Sequence, residues 1–170
     1  NTGDLAEMVQ KLEGDNAKTG RGATTDTEIM TALIGLQDEK NVEASAIAVL
    51  PKLEGAFSLV FMDEKTLYAA RDRHGVRPLV IGKLERGWVV ASETAALDIV
   101  GAAFVREVEP GEFLAINEDG IRSQMWAKPD PKGCIFEYVY LARPDTSIAG
   151  QGVHATRVRI GKRLAIEAPV

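Results

Sequence analysis

The hydrophobic period of the chain changes at Gly55, and that change restricts the fold more than any other feature. Before it, apolar residues return every three or four positions, at Leu5, Met8, Val9 and Leu12 and then at Ile29, Met30, Leu33, Ile34 and Leu36, the spacing of amphipathic helices. After it come short apolar runs separated by charged or Gly-bearing turns, the pattern of strands in hairpins. Helices gathered ahead of consecutive strands, rather than alternating with them, place the chain in the α+β class. With 170 residues, 45% of them hydrophobic, it has enough apolar surface for one domain core.

The spacing predicts a first helix over Leu5–Leu12, a polar surface loop over 14–24, and a second helix that Thr25 and Glu28 open at capping-box spacing. A third helix, Val42–Leu53, contains Pro51, which kinks it or ends it early. Strands are expected over 56–62 and 66–71, 78–83 and 87–92, and 104–108, 112–117 and 121–125. A short helix capped by Thr94 interrupts them at 94–101. Turn signals such as Glu109-Pro110-Gly111 and Glu118-Asp119-Gly120 suggest a sequential antiparallel meander. Beyond a linker over 127–133, Cys134–Leu141 reads as an apolar aromatic strand and Val153–Glu167 as a final helix.

Twenty basic against 25 acidic residues give a net charge of −5 and a pI near 5.1. That balance supplies no long-range field for a polyanion, so nucleic-acid binding is not expected. The sequence contains no run of about 18 uncharged apolar residues and opens without a basic and apolar leader, so neither a membrane span nor export is expected. The single cysteine, Cys134, excludes an internal disulfide framework and suits a reducing cytoplasm. The first and last residues, Asn1 and Val170, read as cuts in a longer polypeptide.

Few residues suggest chemistry directly. Cys134 is the one soft nucleophile or thiolate ligand; in an apolar run it also reads as a small buried hydrophobe, and a metal site around it would need about three further ligands. His74 and His154 lie far apart and read as loop or surface histidines. Arg71, Asp72, Arg73 and Arg77 crowd around Gly75, which fits an anion-binding loop or, preferably, a self-paired corner with Asp72 as counter-ion. Asp26 in the first turn of a helix is stabilised by unpaired amides and the macrodipole. The same geometry suits a carboxylate that holds a substrate ammonium group, and the residues alone leave the two accounts open.

Five phrases become specific when taken in order: Gly55-Ala56-Phe57-Ser58-Leu59-Val60, the corner Arg71–Leu79, Val90–Ala96, Glu109-Pro110-Gly111-Glu112, and Cys134–Asp145 with its Tyr140-Leu141-Ala142-Arg143-Pro144-Asp145 ending. Over nearly its whole length the chain resembles the glutamine phosphoribosylpyrophosphate amidotransferases. Arg73 departs from the pattern, standing where these proteins more often have proline.

The resemblance implies an N-terminal-nucleophile glutaminase, an αββα sandwich of two antiparallel sheets between helix layers. It implies 1–133 as glutaminase domain and 134–170 as the connection toward a phosphoribosyltransferase domain. In such enzymes a cysteine exposed as the first residue attacks the glutamine amide, its own α-amine serving as base. The ammonia converts phosphoribosyl pyrophosphate to 5-phosphoribosylamine, the first step of de novo purine synthesis. On this reading the catalytic cysteine lies upstream of Asn1, no catalytic residue is present, and the chain alone is inactive. Asp26 matches the aspartate that holds the substrate α-ammonium. Cys134 matches a position that ligates a [4Fe-4S] cluster in some members, and Mg²⁺ belongs to the transferase domain. A homo-oligomer in the cytoplasm is implied. Rival readings are a non-catalytic binding or assembly module on the same fold, and the glutaminase domain of another amidotransferase.

Overall fold

The computed structural model describes Glu7 and residues 25–37 and 39–169. The chain divides into two compact units, Asn1–Gly55 and Ala56–Val170. The expected helix over 5–12 lies outside the described residues apart from Glu7, which is helical, and so does the loop over 14–24.

In the first unit, helix α1 (Asp26–Gly35) begins as its capping box dictates. The Thr25 hydroxyl accepts from the Glu28 amide at 3.3 Å, and the Glu28 carboxylate accepts from the Thr25 amide at 3.4 Å. Helix α2 (Val42–Val49) is capped by Asn41, whose side chain accepts from the Ala44 amide at 2.8 Å. Pro51 ends it early, as its missing amide requires, and the chain tightens into a 3₁₀ turn over Leu50–Lys52. Ile29, Leu33 and Val49 form the buried contact between the helices, with Ile34 and Leu53 at its margin.

The second unit holds two antiparallel sheets. Strands β1 (Ser58–Met62), β2 (Leu67–Arg71), β6 (Glu112–Asn117) and β7 (Gly120–Met125) form one, in that order. Strands β4 (Trp88–Ala91), β3 (Val80–Lys83) and β5 (Ala103–Glu107) form the other. The sequential meander is therefore corrected: each hairpin forms, but β2 pairs with β6 and β3 with β5. Side-chain alternation explains the split, since successive residues point to opposite faces. Ala69 and Leu114 of the larger sheet meet Ile81 of the smaller one in a core completed by Leu79 and Val108. On the other face of the smaller sheet, Val80 packs with Ala102 against Leu97 of helix α3 (Thr94–Ile99). A ββα stack results, with Phe61, Tyr68 and Phe113 as an aromatic cluster on the larger sheet, ring centroids 5.2–6.3 Å apart.

Two local expectations change. Thr94 does not cap α3; Glu93 occupies the N-cap without a side-chain bond, and the Thr94 hydroxyl accepts instead from the Ser147 amide at 3.0 Å. Cys134–Leu141 is not a strand but a helical turn whose core, Glu137–Leu141, is π-helical and closes with the Ala142 amide donating to Glu137 O at 3.0 Å. A two-residue-per-strand hairpin, β8 (Ser147–Ile148) and β9 (Gln151–Gly152), then leads into helix α4, Val153–Glu167, where the sequence places it. Among the described residues no helix is long and apolar enough to cross a membrane.

Candidate functional site

The corner Arg71–Pro78 is built around a buried guanidinium. Arg71 is 6% exposed and donates from Nε to Arg77 O at 2.9 Å, from Nη2 to Gly75 O at 2.9 Å and from Nη1 to Val108 O at 2.6 Å. Its ion-pair partner is Glu107, at 3.5 Å. The self-paired corner is thus observed, with a different counter-ion from the one expected. Asp72, 1% exposed, spends its carboxylate on the amides of Phe57 and His74, at 3.2 and 2.8 Å. Gly75 closes the loop with a φ of 57°, and a Cβ there would stand 2.7 Å from Pro110 Cγ. Three carbonyls and a carboxylate take four of its five N–H donors, so the Arg71 fork has no two-donor edge left for a phosphate.

A cleft of about 860 Å³ opens beside this corner. Gly75, Phe104, Glu107, Cys134, Tyr138 and Ile148 are among its walls, drawn from the corner, β5, the π turn and the β8–β9 hairpin. Its charges are mutually matched. Glu137 is 4% exposed and pairs with Arg77 at 2.6 Å. The His74 ring lies 2.9 Å from Asp130 O and 3.2 Å from its carboxylate, and Lys132 pairs with the same carboxylate at 3.4 Å. Burial, with the Glu107 charge second, raises the Tyr138 phenol above its ordinary value, so the hydroxyl stays protonated and donates to Ile148 O at 3.0 Å.

Cys134 is half-buried on the cleft wall. One thiol supplies one ligand, and no group of three His, Cys, Asp or Glu side chains able to hold a metal occurs among the described residues. These residues do not build a cluster site by themselves. His154 is exposed in the first turn of α4.

Asp26 stands in the other unit as the first residue of α1, exposed, directly after the capping Thr25. The capping box fixes the backbone on which it is carried, so its carboxylate is presented at the helix N-terminus.

Sequence reasoning missed four side chains that hold the second unit's chemistry-bearing segments in place: Glu93, Glu107, Glu137 and Arg157. Glu93 accepts from the Arg143 amide at 3.1 Å and the Thr146 hydroxyl at 2.9 Å. Arg157 donates to Tyr138 O at 2.6 Å and Ala142 O at 2.8 Å, satisfying carbonyls at the end of the π turn. Their partners lie 15 to 60 positions away in sequence. The one available signal was a glutamate next to apolar residues, as at Glu107 and Glu137; Arg157 sits in a basic helix and gave none.

A family model described as a glutamine amidotransferase domain matches residues 4–99, more than half of the chain. The chain belongs to the glutamine amidotransferase domain family. Within that family it is similar to the amidophosphoribosyltransferase of Mycobacterium tuberculosis (strain ATCC 25618 / H37Rv), 65% identical over 150 residues that cover 87% of this chain and 28% of that protein. The amidophosphoribosyltransferase of Mycobacterium leprae (strain TN) is 58% identical over 172 residues, 100% of this chain and 31% of that protein. The chain therefore spans less than a third of the length of each of these two relatives. Among solved structures, glutamine phosphoribosylpyrophosphate amidotransferase from B. subtilis, complexed with ADP and GMP, superposes with a TM-score of 0.92 at 36% identity, covering 100% of this chain and 36% of that one. The α+β, N-terminal-nucleophile-type sandwich follows from that superposition.

Proposed function

We infer that this chain is the glutaminase region of an amidophosphoribosyltransferase, which releases ammonia from the side-chain amide of glutamine and transfers it to phosphoribosyl pyrophosphate to give 5-phosphoribosylamine. The observation that carries this reading is the 65% identity to amidophosphoribosyltransferases over 150 residues. Asp26 holds the α-ammonium of glutamine: the cap fixes the backbone that carries this exposed carboxylate at the helix N-terminus, and its charge matches one positive charge. Cys134 is not the nucleophile, because its α-nitrogen is tied into a peptide bond and cannot act as base. On this reading no residue among these 170 serves as the nucleophile. Residues 134–170 form the connection toward the transferase part, with the π turn anchored to α4 by Arg157.

The test separates binding of glutamine from use of ammonia. In an amidophosphoribosyltransferase carrying this sequence, Asp26→Asn removes the charge without changing the shape. We expect KM for glutamine to rise by about 10- to 100-fold, the cost of losing a charge-assisted contact, while activity with free ammonia is unchanged. An unchanged KM removes Asp26 from the glutamine site.

A further inference from the structure

The hairpin Ser147–Gly152 joins two firmly buried anchors. At its start, Thr146 is 1% exposed and donates its hydroxyl to Glu93; at its end, Val153 is fully buried and donates its amide to Thr146 O at 2.9 Å. Between these anchors almost nothing is buried. Ser147, Ala149, Gly150 and Gln151 are exposed, and the two strands are only two residues each. A segment with so few apolar contacts belongs to the low-stability end of a fold. Its tip is also in an unusual conformation, Ala149 with a φ of 50° followed by Gly150 at 70°. Only glycine adopts that region without cost.

At the base of the hairpin the Ser147 amide donates to the Thr94 hydroxyl at 3.0 Å and Arg159 donates to the Gln151 side chain at 3.2 Å, while two further side chains hold the tip down. Glu107, on β5, takes the Ala149 amide at 2.6 Å with one carboxylate oxygen while the other faces the buried Arg71 at 3.5 Å. Tyr138, in the π turn, donates its hydroxyl to Ile148 O at 3.0 Å. Both bonds are made by side chains and neither is a backbone ladder bond of a sheet, and both latching residues stand in the wall of the cleft that the tip helps to close.

We propose that residues 147–152 form a strap that swings about Thr146 and Val153 to open and close the cleft containing Cys134, with Glu107 and Tyr138 as its two latches. The juxtaposition is specific, because Glu107 links the strap to the Arg71 corner and Tyr138 links it to the π turn. Opening the strap frees both at once, and a ligand or a neighbouring segment entering the cleft competes with the strap for the same two groups. The strap therefore converts occupancy of the cleft into a change at the start of α4.

The only thiol in the chain reports the motion. Alkylation of Cys134 in the full chain by a small maleimide, and hydrogen exchange at the Ala149 amide, are measured for the parent, Glu107→Ala and Tyr138→Phe. Each variant is expected to speed both readouts by about threefold to tenfold, the loss of one hydrogen bond from the closed state. The acceleration should depend only weakly on added urea, because a strap exposes little surface, whereas global unfolding depends on it steeply. Tyr138→Phe keeps the ring and its packing, so it remains informative if Glu107→Ala loosens the fold. Unchanged rates in both variants overturn the proposal. So does an acceleration that follows urea as steeply as unfolding does.

Discussion

Glu112 is 2% exposed and remains a carboxylate, which a lone buried charge would not. Burial works against its ionised form. Arg106 in a two-point pair at 2.6 and 2.7 Å, the Ser123 hydroxyl at 2.5 Å and the Glu109 amide at 2.7 Å outweigh burial and hold it below the ordinary glutamate range. A folded-state pKa below the unfolded one means that the network's stabilisation is present above the unfolded glutamate value and is lost as pH falls through the folded value. Glu112→Gln is thus expected to cost about 2 kcal/mol near pH 7, less than the ~3–5 kcal/mol of a wholly buried broken pair, because Arg106 keeps 38% of its side-chain surface in water. The difference between parent and variant should shrink at a pH low enough, below the ordinary glutamate range, for the parent carboxylate also to take up a proton. Urea denaturation midpoints at the two pH values check both the size and the sign. Asp72 teaches a related lesson about reading residues in isolation. A carboxylate flanked by two arginines was expected to pair with them, but two unpaired backbone amides, those of Phe57 and His74, lie closer to hand, and Arg71 turns toward carbonyls and Glu107. Satisfying buried backbone groups outranks pairing neighbouring charges.

At the scale of elements, legibility followed locality. The capping box at Thr25, the break at Pro51 and the span Val153–Glu167 are decided by neighbours within four positions, and all three were readable. Cys134–Leu141 was not. Its aromatic and β-branched residues favour a strand, but a short apolar run does not distinguish strand from helix by periodicity. What decides it is remote: Arg157 covers the carbonyls of Tyr138 and Ala142, Arg77 draws in the Glu137 carboxylate, and Phe136 meets Tyr140 edge-on at 5.8 Å, an i,i+4 contact that only a helical turn permits. The sheet assignment failed for the same reason, since hairpins are local while the pairing of β2 with β6 is not. If the arginine sustains the π turn, Arg157→Ala should leave the Tyr138 and Ala142 carbonyls short of donors, cost about 1–3 kcal/mol, and speed hydrogen exchange at the Ala142 amide more than at amides in β2 or β6. Uniform exchange across these sites would show that the turn is held by its own sequence.

For the molecule as a whole, the distribution of apolar surface is uneven. The two sheets and α3 bury theirs, whereas α4 buries only Val153 and leaves Val158, Ile160, Leu164 and Ile166 exposed, at 42%, 41%, 60% and 74%. The π turn adds Phe136 and Tyr140 at 56% and 65%. Fifteen residues of helix are marginal without packing, and beyond the Arg157 anchor the end of α4 is held by its own backbone and the Arg163–Glu167 pair at 2.6 Å, an exposed contact of small worth. Apolar surface of this extent exceeds the scattered exposure usual on a monomer, and a net charge of −5 over 170 residues offers modest repulsion against association. The 170-residue chain is therefore expected to associate with rising concentration in sedimentation velocity and to bind an apolar dye such as ANS. Placing lysine at both Leu164 and Ile166 should move the population toward monomer and reduce dye binding, with the thermal midpoint nearly unchanged because neither side chain contributes to a buried core. A single sedimenting species at every concentration, unaffected by the two lysines, would mean that the exposed face of α4 does not drive association.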